Sequence, residues 1–250
     1  MNNYKMIISY DGTNYYGFQR QNNFITIQEE VERALKIIFN DKELSIISSS
    51  RTDKGVHANN HVINFFHEKE IELNRLKKSF NSLVNRDIYC KQVTLENSDF
   101  HARYHADKKE YIYIINNGEY NPLMHNYEMY VEKKLDIEKM ISASKKIIGT
   151  HDFKAFTITE CKKESVKTIY DIKITLDKEK IIISILGNGF LRYMVRTIVG
   201  LLIDIGLNKK NETIIDIAFE KKDRKVLGKM ADSQGLYLNE VFYKIYTNNL

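Results

Sequence analysis

From Lys5 to Leu95 the apolar residues pass from strand spacing to helix spacing and back, in the order strand, helix, strand, strand, helix, strand. Lys5–Tyr10 is a β-type run that ends at the turn pair Asp11-Gly12. Thr26–Asn40 reads as a helix, with Thr26 and Glu29 as a capping box and Ile27, Val31, Leu35 and Ile38 on one stripe. Glu43–Ser49 and Asn60–His67 read as strands around a polar loop. Leu73–Val84 is a second helix, with Leu73, Leu76, Phe80 and Leu83 on one face, and Ile88–Leu95 is a closing strand. A chain with this order has few ways to bury both helices except the ferredoxin-like β-α-β-β-α-β arrangement.

The second half repeats the plan more loosely. Glu110–Asn116 is a strand. Asp136 caps a helix carrying Ile137, Met140, Ile141, Ile147 and Ile148 that is expected to stop at Gly149. Thr168–Leu176 and Ile181–Leu186 form a hairpin across Asp177–Lys180. Phe190–Ile205 reads as a strongly apolar helix, Glu212–Glu220 as a shorter one and Glu240–Tyr246 as a last strand. The expected fold is therefore α+β: two ferredoxin-like halves, 1–105 and 106–250, with mainly antiparallel sheets, helices on one face of each and a cleft between the halves.

Composition agrees with a globular chain. It is 43% hydrophobic and 28% charged over 250 residues, which excludes disordered, collagenous and disulfide-stapled classes. The formal charge of +5 permits a polyanionic partner without establishing one. Cys90 and Cys161 form no CxxC pair, so neither a disulfide framework nor a structural zinc site is expected. The apolar stretch before Asp11 is too short for a signal-peptide core, and Ile181–Leu186 and Ile198–Ile203 are too short to span a bilayer. A soluble, cytoplasmic protein is the expectation.

Three segments carry side chains suited to chemistry. In Ser48–Ala58 small residues and Gly55 let the backbone turn tightly between two strands, presenting Arg51 and Asp53 at its tip. A carboxylate so placed is a nucleophile or base, and equally the first residue of a plain Asx turn. Phe100–Ala106 leads into a strand with Tyr111, Tyr113 and Ile115 on one face, rings that suit either base stacking or a sheet core. Gly187–Arg196 has the look of a dinucleotide loop, but Arg192 occupies the place of the third glycine, so that reading fails. Arg192 and Arg196 are four apart and are expected to share a helix face. An arginine on so apolar a helix needs a carboxylate partner, for which Asp53 is the candidate. His101 and His105 have zinc-helix spacing, but no HExxH glutamate accompanies them, and no metal site is expected.

Taken together, these segments resemble the TruA family of pseudouridine synthases. The resemblance runs through Tyr10-Asp11-Gly12-Thr13, Gly17-Phe18-Gln19-Arg20-Gln21, Arg51–Ala58, Phe100-His101-Ala102-Arg103, Tyr111, Gly149–Phe153, Gly189–Arg196 and Gly235-Leu236-Tyr237-Leu238. It implies a cofactor-free isomerisation of uridine in structured RNA by a homodimer with tRNA as its partner. By that resemblance Asp53 is the essential aspartate, Tyr111 stacks on the target base and Arg196 pairs with Asp53. Arg51 enters the RNA and holds the nucleotide out of its stack, and Arg20, Arg103, His57 and Arg192 complete the RNA-binding set. The chain departs from the family at Phe18 (usually tryptophan), Ser50 (commonly glycine) and Asn85, Val166 and Ser233 (often proline). The other readings are a paralogue that acts on ribosomal RNA and a non-catalytic RNA-binding or RNA-folding protein.

Overall fold

A computed structural model describes residues 1–158 and 165–244 of the chain. Two compact units account for the contacts: Met1–Asp107 together with the segment from Leu238, and Lys108–Tyr237.

The first unit is built from β1 (Asn2–Tyr10), α1 (Ile27–Phe39), β2 (Ile47–Ser48), β3 (His57–His67), α2 (Leu73–Leu83) and β4 (Ile88–Glu96). β1 lies between β3 and β4 and is antiparallel to both. Alternation along β1 sends Tyr4, Met6 and Ile8 into a core with Val31, Ala34, Leu35, Leu76 and Phe80 from the two helices. Thr26 caps α1 by accepting from Glu29 N–H, as its spacing predicts, and Asn40 ends it in the left-handed region at φ 53°. The strand expected over Glu43–Ser49 shrinks to β2. Its earlier backbone groups are satisfied elsewhere: Ile46 N–H donates to the Glu32 carboxylate at 3.2 Å and Glu43 N–H to Asp41.

The second unit holds β5 (Ala106–Asn116), β6 (Met129–Tyr130), α3 (Ile137–Lys145), β7 (Gly149–Asp152), β8 (Val166–Asp177), β9 (Lys180–Gly187), α4 (Met194–Gly206) and α5 (Thr213–Lys221). Its sheet runs β5-β9-β8-β7, with β6 added in parallel to β5. β8 and β9 close as a tight hairpin in which Asp177 faces Lys180 and Lys178 takes φ 54°. α3 ends at Lys145, short of Gly149. Ile147 is buried beyond the helix end, while Ile141, placed on the apolar stripe by the sequence, is exposed. α4 is buried along most of its length and packs on α3.

β10 (Leu236–Tyr243) starts earlier than the expected Glu240 and lies beside β3 in the first unit. The fold is α+β with mainly antiparallel pairing, as the alternation of periods predicts. Among the described residues no helix is long and apolar enough to cross a membrane.

Candidate active site

Asp53 sits in the connection between β2 and β3, half-buried between an exposed Arg51 and an exposed Lys54. A second loop, Gly12–Phe18, straps this connection. Phe18 N–H donates to Thr52 O at 3.0 Å, and Gly55 N–H donates to Tyr15 O at 3.3 Å. Within the turn, Val56 N–H donates to Asp53 O at 3.2 Å, and Gly55 takes φ 74°. These bonds hold the backbone on either side of Asp53 and so fix the turn that carries it.

The strap requires its glycines. A Cβ on Gly17 would lie 2.7 Å from Thr52 O, and its φ of 91° is one that side chains rarely adopt. A Cβ on Gly12 would lie 2.0 Å from Val56 O. The spacing of Gly12, Gly17 and Phe18 thus records where one loop's backbone lies against another.

Beneath the turn is a buried polar chain that the sequence reading did not single out. Tyr10 Oη is 2.8 Å from Thr52 Oγ1 and 2.9 Å from His61 Nδ1, and the Phe18 ring stacks on His61 at 4.2 Å. Thr52, next to Asp53, is thereby tied to β1 and β3. The only sequence signal was that Tyr10 and His61 fall on inward positions of their strands.

His57, grouped with the RNA-contacting residues by resemblance, is 2% exposed. Its Nδ1 lies 3.1 Å from both the Gly12 amide nitrogen and Asp11 Oδ1. So placed, it props the strap from inside and offers no surface to an RNA. Arg20 is half-exposed and pairs with the buried Glu32, which also accepts from Gln28 and Ile46 N–H. Arg103 is exposed beside Tyr104.

The Phe100–Arg103 segment is tied to the first unit's sheet by buried amides. Asn64 Oδ1 accepts from Ala102 N–H at 2.9 Å, Asn3 donates to Phe100 O at 2.9 Å, and the two asparagines bond each other. His101 Nδ1 accepts from Arg103 and Tyr104 N–H at 3.2 Å. Its pKa is lowered by burial first, then by the neighbouring His105 and Arg103 charges.

In the second unit Tyr111 lies on the inward face of β5, 8% exposed, with Phe190 packed edge-on at 5.1 Å. Tyr113, two residues on, donates to Asp232 O at 2.7 Å. Arg192 and Arg196 do not share a helix face. α4 begins at Met194 rather than Phe190, because Tyr193 adopts φ 64° and breaks the helical path, leaving Arg192 in the preceding turn. Arg196, in the first helical turn, is held by Ala231: its Nε donates to Ala231 O at 2.8 Å, and its carbonyl accepts from Ala231 N–H at 2.9 Å. The Tyr193 ring lies 4.7 Å from the Arg192 guanidinium and 5.8 Å from that of Arg196. The strap over Lys229–Ala231 comes so close to α4 that a Cβ on Gly200 would sit 2.3 Å from Lys229 O.

Among the described residues no group of three or more His, Cys, Asp or Glu is arranged to hold a metal ion. Cys90 is buried, and its thiol is pushed up to about 12 by desolvation, so it is no nucleophile at neutral pH. Cys161 lies outside the described residues.

Residues 6–105 and 143–244 match the family model described as tRNA pseudouridine synthase. The chain is 41% identical over 244 residues to tRNA pseudouridine synthase A 2 of Bacillus cereus, covering 96% of this chain and 99% of that one. It is 41% identical over 245 residues to tRNA pseudouridine synthase A of Acetivibrio thermocellus, covering 97% and 100%. It is 42% identical over 246 residues to the protein of that name from a Thermoanaerobacter species, again covering 97% and 100%. A Cbf5-Nop10-Gar1 complex aligns over 80% of this chain and 45% of that chain, at a TM-score of 0.36 and 12% identity, too weak a likeness to support an argument. The glycine-strapped aspartate turn, the inward tyrosine of β5 and the anchored arginine of α4 all fall in segments carrying the TruA pattern, and with near-complete coverage at about 41% identity the chain belongs to the TruA family of tRNA pseudouridine synthases.

Proposed function

We propose that the protein is an isomerase converting uridine to pseudouridine in the anticodon stem-loop of tRNA, with Asp53 as its essential carboxylate. The observation that carries this reading is the turn at Asp53, whose backbone is hydrogen-bonded on both sides by the Gly12–Phe18 strap. Such a scaffold suits a reaction in which one carboxylate must be held against a sugar–base bond.

The reaction breaks the N1–C1′ bond, turns the uracil, makes a C5–C1′ bond and moves the C5 proton to solvent, with N1 reprotonated. Substrate and product are isomers, so neither electrons nor an activated donor enters. Asp53 supplies the carboxylate, as nucleophile or base. Tyr111 presents its ring to the extruded base, and Arg196 is the counter-ion of Asp53, both by family resemblance. The Ala231 anchor supports the second role by holding the Arg196 guanidinium in one orientation. Arg51, exposed at the tip of the turn, enters the RNA and helps keep the nucleotide out of its stack at a cost of a few kcal/mol. Arg20, Arg103 and Arg192 are exposed and serve as backbone contacts. His57 serves the strap instead. The protein works in the cytoplasm as a homodimer, a state that light scattering reads directly.

Modification mapping of tRNA and ribosomal RNA, in cells with and without the protein, tests activity and target together. The expected result is loss of pseudouridine from tRNA anticodon stem-loops alone. Asp53→Asn is expected to lower turnover at least about 100-fold while keeping RNA affinity within a few-fold. Normal turnover by that variant overturns the assignment, and loss confined to ribosomal RNA overturns the target.

A further inference from the structure

We propose that the exposed ring of Phe24, backed by Tyr16 with the Lys54 ammonium on the far side of that ring, is a stacking platform for the RNA base next to the target uridine. The inference rests on the RNA-modifying reading above and adds to it a site outside the residues that reading uses.

The platform is built on the strap that holds Asp53. Phe24 and Tyr16 stack with centroids 4.1 Å apart and planes 25° apart. Lys54 Nζ lies 3.9 Å from the same Tyr16 centroid. Two groups that close to one centroid take opposite faces of the ring, so Tyr16 is sandwiched and the outer face of Phe24 is the one left for a ligand. Phe24 is 44% exposed, and the adjoining Ile25 is 59% exposed.

The backbone holds this arrangement. Gln21 and Phe24 form an isolated antiparallel bridge around Asn23, which takes φ 65°, a conformation asparagine tolerates. Tyr16 N–H donates to Ile25 O at 3.0 Å, and Tyr16 O accepts from Gln21 Nε2 at 2.7 Å. Tyr15 in turn accepts from Gly55 of the aspartate turn. Two large apolar side chains are thus kept in water on a turn whose backbone bonds are already made, with the Tyr16 ring between Phe24 and the lysine that follows Asp53. A nucleobase has the flat face to cover Phe24, and the phosphates of the strand running past the sandwich have the charge to meet Lys54 on its other side. Extruding a uridine deprives its neighbour of a stacking partner, and Phe24 replaces that partner.

The test measures tRNA affinity and steady-state pseudouridine formation for wild type, Phe24→Leu and Phe24→Tyr, with thermal melting to verify folding. Loss of one base–aromatic stack is expected to raise Kd and KM about 10-fold in the leucine variant with kcat within twofold. The tyrosine variant, which keeps a flat ring, should stay within twofold of wild type. In a stem-loop RNA carrying 2-aminopurine beside the target uridine, binding should quench fluorescence with wild type and Phe24→Tyr but not with Phe24→Leu. Equal affinity and equal quenching with Phe24→Leu overturn the platform and leave the apolar turn to a protein contact. Wild-type protein that forms no pseudouridine in any RNA overturns the enzymatic reading instead, while the affinity comparison still decides the platform.

Discussion

Gly17 and Tyr193 both hold positive φ beside side chains of the candidate site, for opposite reasons. Gly17, at φ 91°, lets Phe18 N–H reach Thr52 O without a Cβ in the way. Gly17→Ala adds both a strained backbone and a contact of 2.7 Å, and is expected to cost about 1–3 kcal/mol in urea denaturation. Turnover should fall more than RNA affinity, because Gly17 lies against the backbone of the Asp53 turn and has no side chain to offer the RNA. Tyr193, at φ 64°, has a side chain that pays the steric penalty in order to end the loop abruptly. Its ring then stands beside two guanidinium groups, and Arg196 enters the first turn of α4 with its Nε already committed to Ala231. Neither feature is visible in residue type alone, since a glycine marks many turns and a tyrosine at positive φ marks none in advance.

Elements meet the candidate site mainly at their ends and connections. α1 falls where the periodicity places it, and β1 and β3 cover their expected runs while each starting three residues earlier, because each buries a continuous stripe that no other register would cover. The connections are governed by side chains acting on backbone amides, as at Glu32 for the segment before β2 and His101 for the turn before β5. The His101 turn carries a pH dependence. Its imidazole accepts two amide hydrogens only when Nδ1 is bare, and its folded pKa lies below the ordinary 6.5. The unfolded chain therefore binds the proton more readily, so this contribution is intact above the ordinary value and is lost as pH falls through the folded one. Exchange protection of the Arg103 and Tyr104 amides is expected to drop selectively as pH is lowered below 6.5, and His101→Ala should abolish that dependence.

Across the full chain, charge and sequence coverage point the same way. A formal charge of +5 with arginines exposed at positions 20, 103 and 192 favours binding through phosphates. Affinity for tRNA is expected to fall about 10-fold or more between 50 and 200 mM salt, as read by filter binding. An affinity insensitive to salt over that range would remove the phosphate contacts assigned to these arginines.

Much of this protein could be read from spacing. The order of periods specified the α+β class, Thr26 and Asp136 marked two helix starts, and the ordered motifs identified the family, because burial periodicity and capping are local and leave local traces. The start of α4, the shortening of the segment before β2, the burial of His57 and the pairing of β10 beside β3 left no such trace. Each depends on which distant group satisfies a backbone amide or covers a ring, and that partner exists only once the chain has folded back on itself.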